Sequence, residues 1–71
     1  MILLGDKLKE LRKGSALTQK QVAEELGIAQ NTLSQFENDL ARPSYEVLVR
    51  LALLYDVTTD YLLGNKSYDQ P

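Results

Sequence analysis

The segment 17–27 carries both the start and the stop of one short helix. Thr18, followed three residues later by Gln21, fits a capping box, in which each side chain accepts the backbone N–H of the other residue. The apolar residues just before this cap and four positions after it fit the hydrophobic staple that fixes the direction of the entering chain. Gly27 can adopt the left-handed conformation that ends a helix. The sequence therefore predicts a helix over Gln19–Leu26, bounded at both ends.

A second short helix is expected after a turn of three to four residues around Gly27, and it begins near Gln30. Its apolar stripe consists of Leu33 and Phe36, at the spacing of a helix face that packs on a core. Side chains advance by about 100° per residue around a helix, so the opposite face carries only polar, uncharged residues. The members of this face are Gln30, Asn31, Ser34 and Gln35.

Two short helices joined by a tight turn form the helix-turn-helix arrangement, whose second helix enters the major groove of double-stranded DNA. The side-chain amides of Gln and Asn donate and accept hydrogen bonds at once, so they can pair with the N6 and N7 edge of adenine. A charged side chain that contacts phosphate adds affinity without selecting a base. The outer face of the second helix therefore predicts contact with base edges, with an ordinary solvated helix face as the competing interpretation.

Helical spacing of apolar residues and end signals predict three further helices. The first carries leucines at helical spacing from residue 4 and ends at Gly14. Ser44 is expected to cap the fourth, and Thr58 the fifth. Strand patterns are missing, so the fold class is all-α: a compact five-helix bundle with a central helix-turn-helix. We expect one domain over residues 1–64 and a tail over residues 65–71 that is flexible or ordered by a partner.

Composition argues against most other classes of protein. The 71 residues include no Cys and no His, which excludes disulfides, imidazole bases and most transition-metal sites. No glycine-rich phosphate loop or calcium-loop spacing is present. The longest apolar stretch, residues 47–57, is shorter than the roughly 18 residues of a membrane span, and the opening residues lack the pattern of a signal peptide. We expect no enzyme activity, cofactor, metal, small-molecule substrate or membrane partner, and a cytoplasmic localisation.

Net charge keeps a second function open. The chain has eight basic and ten acidic side chains, a formal charge of −2, whereas DNA-binding domains usually carry a basic excess. Residues 1–43 are balanced with six of each sign, so the deficit lies in the C-terminal part. Asp39 places a carboxylate in the loop after the second helix of the motif, close to where phosphate is expected. The alternative is a protein-interaction module, antitoxin-like or an anti-repressor, that keeps the fold and binds DNA weakly.

Four stretches of the chain resemble the small helix-turn-helix DNA-binding domains of the Cro and phage-repressor type, which include stand-alone bacterial regulators. The stretches are LGDKLKELR, LTQKQVAEELGIAQNTLSQFEN, RPSYEVLVRLALLYDV and DYLLG, and together they span residues 4–64. The resemblance implies a five-helix domain that binds operator DNA as a two-fold homodimer. We accordingly expect a sequence-specific transcriptional regulator that acts as a repressor on a pseudo-palindromic operator.

The resemblance implies roles for individual side chains as well. Gln19 is similar to a family glutamine that touches phosphate and steadies the first residue of the recognition helix, here Gln30. Positions that face bases or the adjoining backbone are matched by Asn31, Ser34 and Gln35, and loop positions near phosphates by Asn38 and Arg42. Arg12 and Glu37 match a structural ion pair between the first helix and the end of the third.

Three further expectations concern the surface of the domain. Lys20 and Arg42 are expected to contact phosphate, although solubility alone would explain both cations. Ala29 stands where the family has a Ser or Thr cap, which should cost about 1 kcal/mol of stability. Apolar residues near the end of the chain belong either to the core or to an exposed edge that favours dimerisation. These dimer candidates are Leu54, Val57, Tyr61 and Leu62.

Overall fold

The computed structural model describes residues 4–64, which form five α-helices and contain no strand. The helices are α1 (Leu4–Gly14), α2 (Gln19–Leu26), α3 (Gln30–Glu37), α4 (Tyr45–Tyr55) and α5 (Thr59–Leu63). The predicted all-α, five-helix architecture is confirmed, and the bounds of α2 and α5 agree with those expected. The predicted tail over residues 65–71 and the opening residues 1–3 lie outside the described residues.

The helix ends follow the predicted side-chain signals. At the start of α2, Thr18 Oγ1 accepts the backbone N–H of Gln21 at 3.1 Å, and Gln21 Oε1 accepts that of Thr18 at 2.9 Å. Gly27 ends this helix in a left-handed conformation with φ of 70°. Ser44 caps α4 and Thr58 caps α5 through their hydroxyl groups. These caps satisfy backbone N–H groups that have no partner inside the helix, so each start is fixed locally.

Two positions between the first three helices depart from ordinary capping. Ala29 precedes α3 and makes no side-chain cap hydrogen bond, as expected from its methyl side chain. In the turn after α1, Ala16 adopts a left-handed conformation with φ of 57°, whereas Gly14 is the last residue of the helix. A residue with a Cβ pays about 1–2 kcal/mol for this conformation. The turn between α1 and α2 is therefore strained at Ala16.

Every helix contributes to one hydrophobic core. Its buried apolar members are Leu8, Val22, Ala23, Leu26, Leu33, Phe36, Leu48, Leu51, Ala52, Tyr55 and Leu62. The α3 helix packs against both α1 and α2, so two neighbours fix its inner face. Its outer face is left open to solvent.

The α1 helix approaches the end of α3 most closely at Gly5. A Cβ built on Gly5 would lie 2.5 Å from the carbonyl oxygen of Glu37, a separation that real Cβ atoms essentially never show. The backbone N–H of Gly5 donates to Asp39 Oδ1 at 3.0 Å. Glycine therefore allows α1 to hold the loop that follows α3, and Asp39 satisfies an N–H in the first turn of α1.

The suggested dimer contacts lie in different environments. Leu62 is 1% exposed and belongs to the core, so its place among the candidate dimer contacts is corrected. Leu54, Val57 and Tyr61 are half-buried and pack against that core. Lys7 Nζ donates to the backbone carbonyl of Tyr61 at 2.7 Å and lies 5.0 Å from the centroid of its ring, which links α1 to α5.

Two exposed apolar side chains of α4 and α5 are sequence neighbours of these candidates. Leu53 is 76% exposed and Leu63 is 54% exposed. Neither was predicted, because helical periodicity identifies the buried stripe and leaves the exposure of adjacent leucines open. Leu53 and Leu63 therefore add exposed apolar surface on α4 and α5.

Candidate nucleic-acid interface

The polar face predicted for α3 points away from the core. Gln30, Asn31 and Gln35 are exposed and Ser34 is half-buried, whereas Leu33 and Phe36 are buried on the opposite side. The predicted division of α3 into an inner and an outer face is confirmed. No residue on this outer face carries a charge.

Four of the predicted DNA contacts line one open depression where α2 and α3 begin. They are Gln19, Gln30, Asn31 and Ser34. Gln35 is exposed farther along α3, outside this lining. The first turns of both helices thus present side-chain amides and a hydroxyl to the same surface, and these groups can donate and accept hydrogen bonds.

The single charged residue of α3, Glu37, is 1% exposed and paired with Arg12. Arg12 Nε donates to Glu37 Oε2 at 2.8 Å, and Arg12 Nη2 donates to Oε1 at 3.2 Å. Arg12 Nη1 also donates to the carbonyl of Leu17 at 3.1 Å. The ion pair expected from the resemblance is present, and its carboxylate does not face the outer surface of α3.

In the DNA-free protein, the Gln19 side chain contacts a different residue from the one that was expected. Its amide nitrogen donates to Glu37 Oε1 at 3.0 Å, where the resemblance implied a contact with Gln30. A buried carboxylate is a stronger acceptor than an exposed amide, which explains this choice. Gln19 still lines the depression beside Gln30, so one side chain connects the buried ion pair with the outer surface.

A buried tyrosine lies beside the same ion pair. The hydroxyl of Tyr55 is buried without a hydrogen-bond partner among the described residues. Burial, together with the nearby Glu37 carboxylate, raises the pKa of Tyr55 to about 12, while Arg12 acts in the opposite direction. Tyr55 therefore stays protonated throughout the physiological range. Sequence periodicity placed it in the core without revealing its charged neighbours.

Asn38 closes the C-terminal end of α3. Its Nδ2 donates to the backbone carbonyl of Ser34 at 2.8 Å, an interaction of residues four apart that satisfies one of the last helix carbonyls. The same Nδ2 also donates to Ser34 Oγ at 3.4 Å, so the amide nitrogen is turned toward Ser34 although the side chain is exposed. Asn38 was predicted to contact phosphate, and its contact with Ser34 was missed, although the spacing of four residues would have indicated it.

Five of the seven cations within residues 4–64 fall into two groups. Lys7 and Arg12 make the contacts described above, and Arg50 Nη1 donates to the carbonyl of Leu26 near the end of α2 at 3.2 Å. Lys20 and Arg42 are exposed, and neither makes an ion pair within residues 4–64. These two retain their charge for an external anion, as phosphate contacts require.

The described residues hold no group of acidic, Cys or His side chains suited to a metal ion. Over residues 4–64, no helix has both the length and the apolar character needed to cross a bilayer. Neither finding adds a second candidate site to the surface formed by α2 and α3.

Comparison with known proteins identifies the family of the chain. A family model described as helix-turn-helix matches residues 8–62, which include the whole of α2 and α3. The chain belongs to this helix-turn-helix family. The match, together with the phage-repressor likeness described below, confirms the resemblance to the Cro and phage-repressor type.

The curated relatives are regulators rather than enzymes. The transcriptional regulator ImmR of Bacillus subtilis is 49% identical over 61 residues, which are 86% of this chain and 48% of that protein. AnsR, a transcriptional regulator of the same organism, is 43% identical over 65 residues, which are 92% of this chain and 56% of that protein. The chain thus spans about half the length of the curated relatives it matches.

Two solved structures of repressors or regulators bound to DNA resemble the fold. The P22 c2 repressor, in complex with a synthetic operator, superposes with a TM-score of 0.87 at 26% identity and covers 93% of this chain and 100% of its own. The biofilm regulator SinR, in complex with DNA, has a TM-score of 0.78 at 31% identity, with coverage of 86% and 98%. The arrangement of helices in this chain is therefore one that other proteins use while bound to DNA.

Proposed function

We propose that this protein is a sequence-specific DNA-binding transcriptional regulator that acts as a repressor. It binds a pseudo-palindromic operator as a homodimer in the cytoplasm. The observation that carries the proposal is the outer face of α3, where exposed amides stand on a helix whose only carboxylate is buried and paired. The DNA complexes of the P22 c2 repressor and SinR support the same class of ligand.

In this proposal, α3 lies in the major groove and its outer face meets base edges. Gln30, Asn31 and Gln35 select bases through their amides, and Ser34 contacts a base or the adjoining backbone. Lys20 and Arg42 neutralise phosphates, which raises affinity for all sequences alike. Phosphate contacts by Gln19 and Asn38 remain part of the proposal. Gln19 has a second amide hydrogen besides the one donated to Glu37, and Asn38 would exchange its contact with Ser34 Oγ for one with phosphate.

Homodimerisation would supply a second recognition helix for the second half-site of the operator. Two recognition helices related by a two-fold axis would enter successive major grooves about 34–36 Å apart. In this proposal the second copy packs on apolar side chains of α4, of α5 and of the turn between them: the exposed Leu53 and Leu63 and the half-buried Leu54, Val57 and Tyr61. A dimer would also add buried apolar surface to a domain whose small core limits its stability.

The alternative, a protein-interaction module with weak DNA binding, rests on the net charge of −2 and on Asp39. Asp39 accepts the N–H of Gly5, and the carboxylate of Glu37 is buried and paired with Arg12. The outer face of α3 therefore presents no negative charge of its own, which favours DNA as the partner.

Titration of variants against an operator selected from random DNA tests the assignment of roles. Gln30→Ala should reduce discrimination between operator and mutated operator by about 1–3 kcal/mol at its own base position. Lys20→Ala should weaken all sequences alike and lower the slope of log affinity against log salt by about one ion. Lys9→Ala removes the same charge from α1, to which no DNA contact is assigned, and serves as the matched control. The same loss of affinity for every sequence in the Gln30 and Lys20 variants would contradict the assignment.

A further inference from the structure

The carboxylate of Glu37 binds Gln19 in addition to its ion-pair partner Arg12. Its two oxygens accept three hydrogen bonds, from Arg12 Nε at 2.8 Å, Arg12 Nη2 at 3.2 Å and Gln19 Nε2 at 3.0 Å. Glu37 is the last residue of α3 and Gln19 is the first residue of α2, so this carboxylate connects the two helices of the motif. Gln19 also lines the surface where DNA is proposed to bind. Glu37 is 1% exposed, which keeps water from competing for these bonds.

The carboxylate of Glu37 determines the orientation of the Gln19 side-chain amide. An ionised carboxylate only accepts hydrogen bonds, so it can bind the NH₂ end of a side-chain amide and never the carbonyl end. One N–H of Gln19 is consumed by Glu37 Oε1, and the second N–H and the carbonyl remain. Since Gln19 lines the depression with Gln30, Asn31 and Ser34, these remaining groups are available on the surface proposed for DNA.

Arg12 donates to both oxygens of Glu37, and its Nη1 donates to the carbonyl of Leu17 just before the cap of α2. The same arginine therefore contacts both the carboxylate that holds Gln19 and the residue that precedes the cap of α2. Tyr55 lies beside the pair without a hydrogen bond to it.

We infer that the buried Arg12–Glu37 pair is a positioning device for Gln19, and that Glu37 contributes to DNA affinity although it touches no DNA. The inference rests on the proposed function. Glu37 orients the amide before DNA arrives, so the free N–H of Gln19 meets phosphate without first reversing its amide. The contribution is to affinity for all sequences, since a phosphate contact selects no base.

A double-mutant cycle in DNA affinity separates this role from a general stabilising one. Glu37→Gln offers both a donor and an acceptor, so the Gln19 amide can bind in either orientation. We expect the dissociation constant for a selected operator to rise about three- to tenfold, the worth of one hydrogen bond. In a Gln19→Met background, which keeps the side-chain length and lacks the amide, the same change should cost less than about twofold.

Two further readouts belong to the cycle. Base preference and the salt slope should stay unchanged in Glu37→Gln, because Gln19 carries no charge and contacts no base in this scheme. Tyr55→Phe alters the surroundings of the pair without removing a bond to Gln19, so it should leave affinity unchanged. Equal loss from Glu37→Gln in both backgrounds, or a changed base preference, would overturn the inference. If Glu37→Gln fails to fold, Glu37→Asp keeps the charge, shortens the reach to Gln19 and takes its place.

Nuclear magnetic resonance of the DNA-free protein tests the positioning step independently of DNA binding. The side-chain NH₂ signal of Gln19, assigned by its loss in Gln19→Met, should shift in Glu37→Gln and stay in place in Tyr55→Phe. An unmoved signal in Glu37→Gln would refute the positioning role even if DNA binding is normal. Failure of the wild-type protein to bind any DNA would instead refute the proposed function.

Discussion

Substitution of Gly5 by alanine should destabilise the fold, although alanine favours helices. The added Cβ would lie 2.5 Å from the carbonyl oxygen of Glu37 and 2.7 Å from Asp39 Oδ2. The nearer atom belongs to the backbone and cannot rotate away, so the overpacking cost lies near the upper end of the usual 1–3 kcal/mol, or about 3 kcal/mol. The new methyl group would also push Asp39 away from the backbone N–H of residue 5, and the loss of that hydrogen bond adds about 1 kcal/mol, while the better helix propensity of alanine offsets about 1 kcal/mol.

The expected net loss for Gly5→Ala is therefore about 3 kcal/mol of unfolding free energy. In a domain of this size the midpoint of thermal unfolding should fall by roughly 10–20 °C. Far-ultraviolet circular dichroism during heating and during urea titration would measure both quantities.

Gly14→Ala is the matched control on the same helix. A Cβ built on Gly14 meets nothing within 4 Å, and Gly14 lies in α1 with an ordinary φ. This substitution should be neutral or stabilise the protein by up to about 1 kcal/mol through reduced entropy of the unfolded chain. Equal effects of the two substitutions, in either direction, would refute the close approach of α1 to the end of α3.

Three smaller predictions concern the turn after α1, the buried tyrosine and the cap of α2. Ala16→Gly should raise the free energy of unfolding by about 1 kcal/mol in urea titrations, because φ of 57° strains alanine; a loss would contradict that conformation. Folding raises the pKa of Tyr55 to about 12 from its ordinary value of 10.0, so its contribution to stability is complete below pH 10 and is lost as the pH rises from about 10 to 12. The free energy of unfolding of Tyr55→Phe should therefore increase relative to that of the wild type as the pH rises over that range. Parallel pH profiles of the two proteins would contradict this. Thr18→Ala removes the hydroxyl that caps α2 and should cost about 1 kcal/mol in the same titrations, whereas a neutral result would contradict the capping box.

The helices could be predicted from the sequence because their end signals are local. The capping box of Thr18 and Gln21 and the left-handed Gly27 involve residues a few positions apart, so these end signals do not depend on how the helices pack. The outer face of α3 was predictable for the same reason, since periodicity within one helix determines which side chains oppose its buried stripe. The partnership of Arg12 and Glu37 needed the family resemblance as well.

The interactions that could not be predicted join separate elements. Gln19 donates to Glu37 rather than to Gln30 because of where the end of α3 lies relative to the start of α2, which no local pattern encodes. Asp39 was interpreted as a charge near phosphate, and its bond to the N–H of Gly5 depends on the docking of α1. Leu62 was assigned either to the core or to a dimer contact, because the sequence of a short helix does not show whether its own domain or a partner covers an apolar residue. The structure buries it in the core.

Selection of bound sequences from a random pool of double-stranded DNA tests the central proposition most directly. If the exposed amides of α3 read base edges in a two-fold dimer, the pool should converge on a pseudo-palindrome. Its half-sites should have centres about 10 base pairs apart, or a multiple of that spacing. Repeated rounds that retain DNA without enriching any sequence would contradict base recognition by this face.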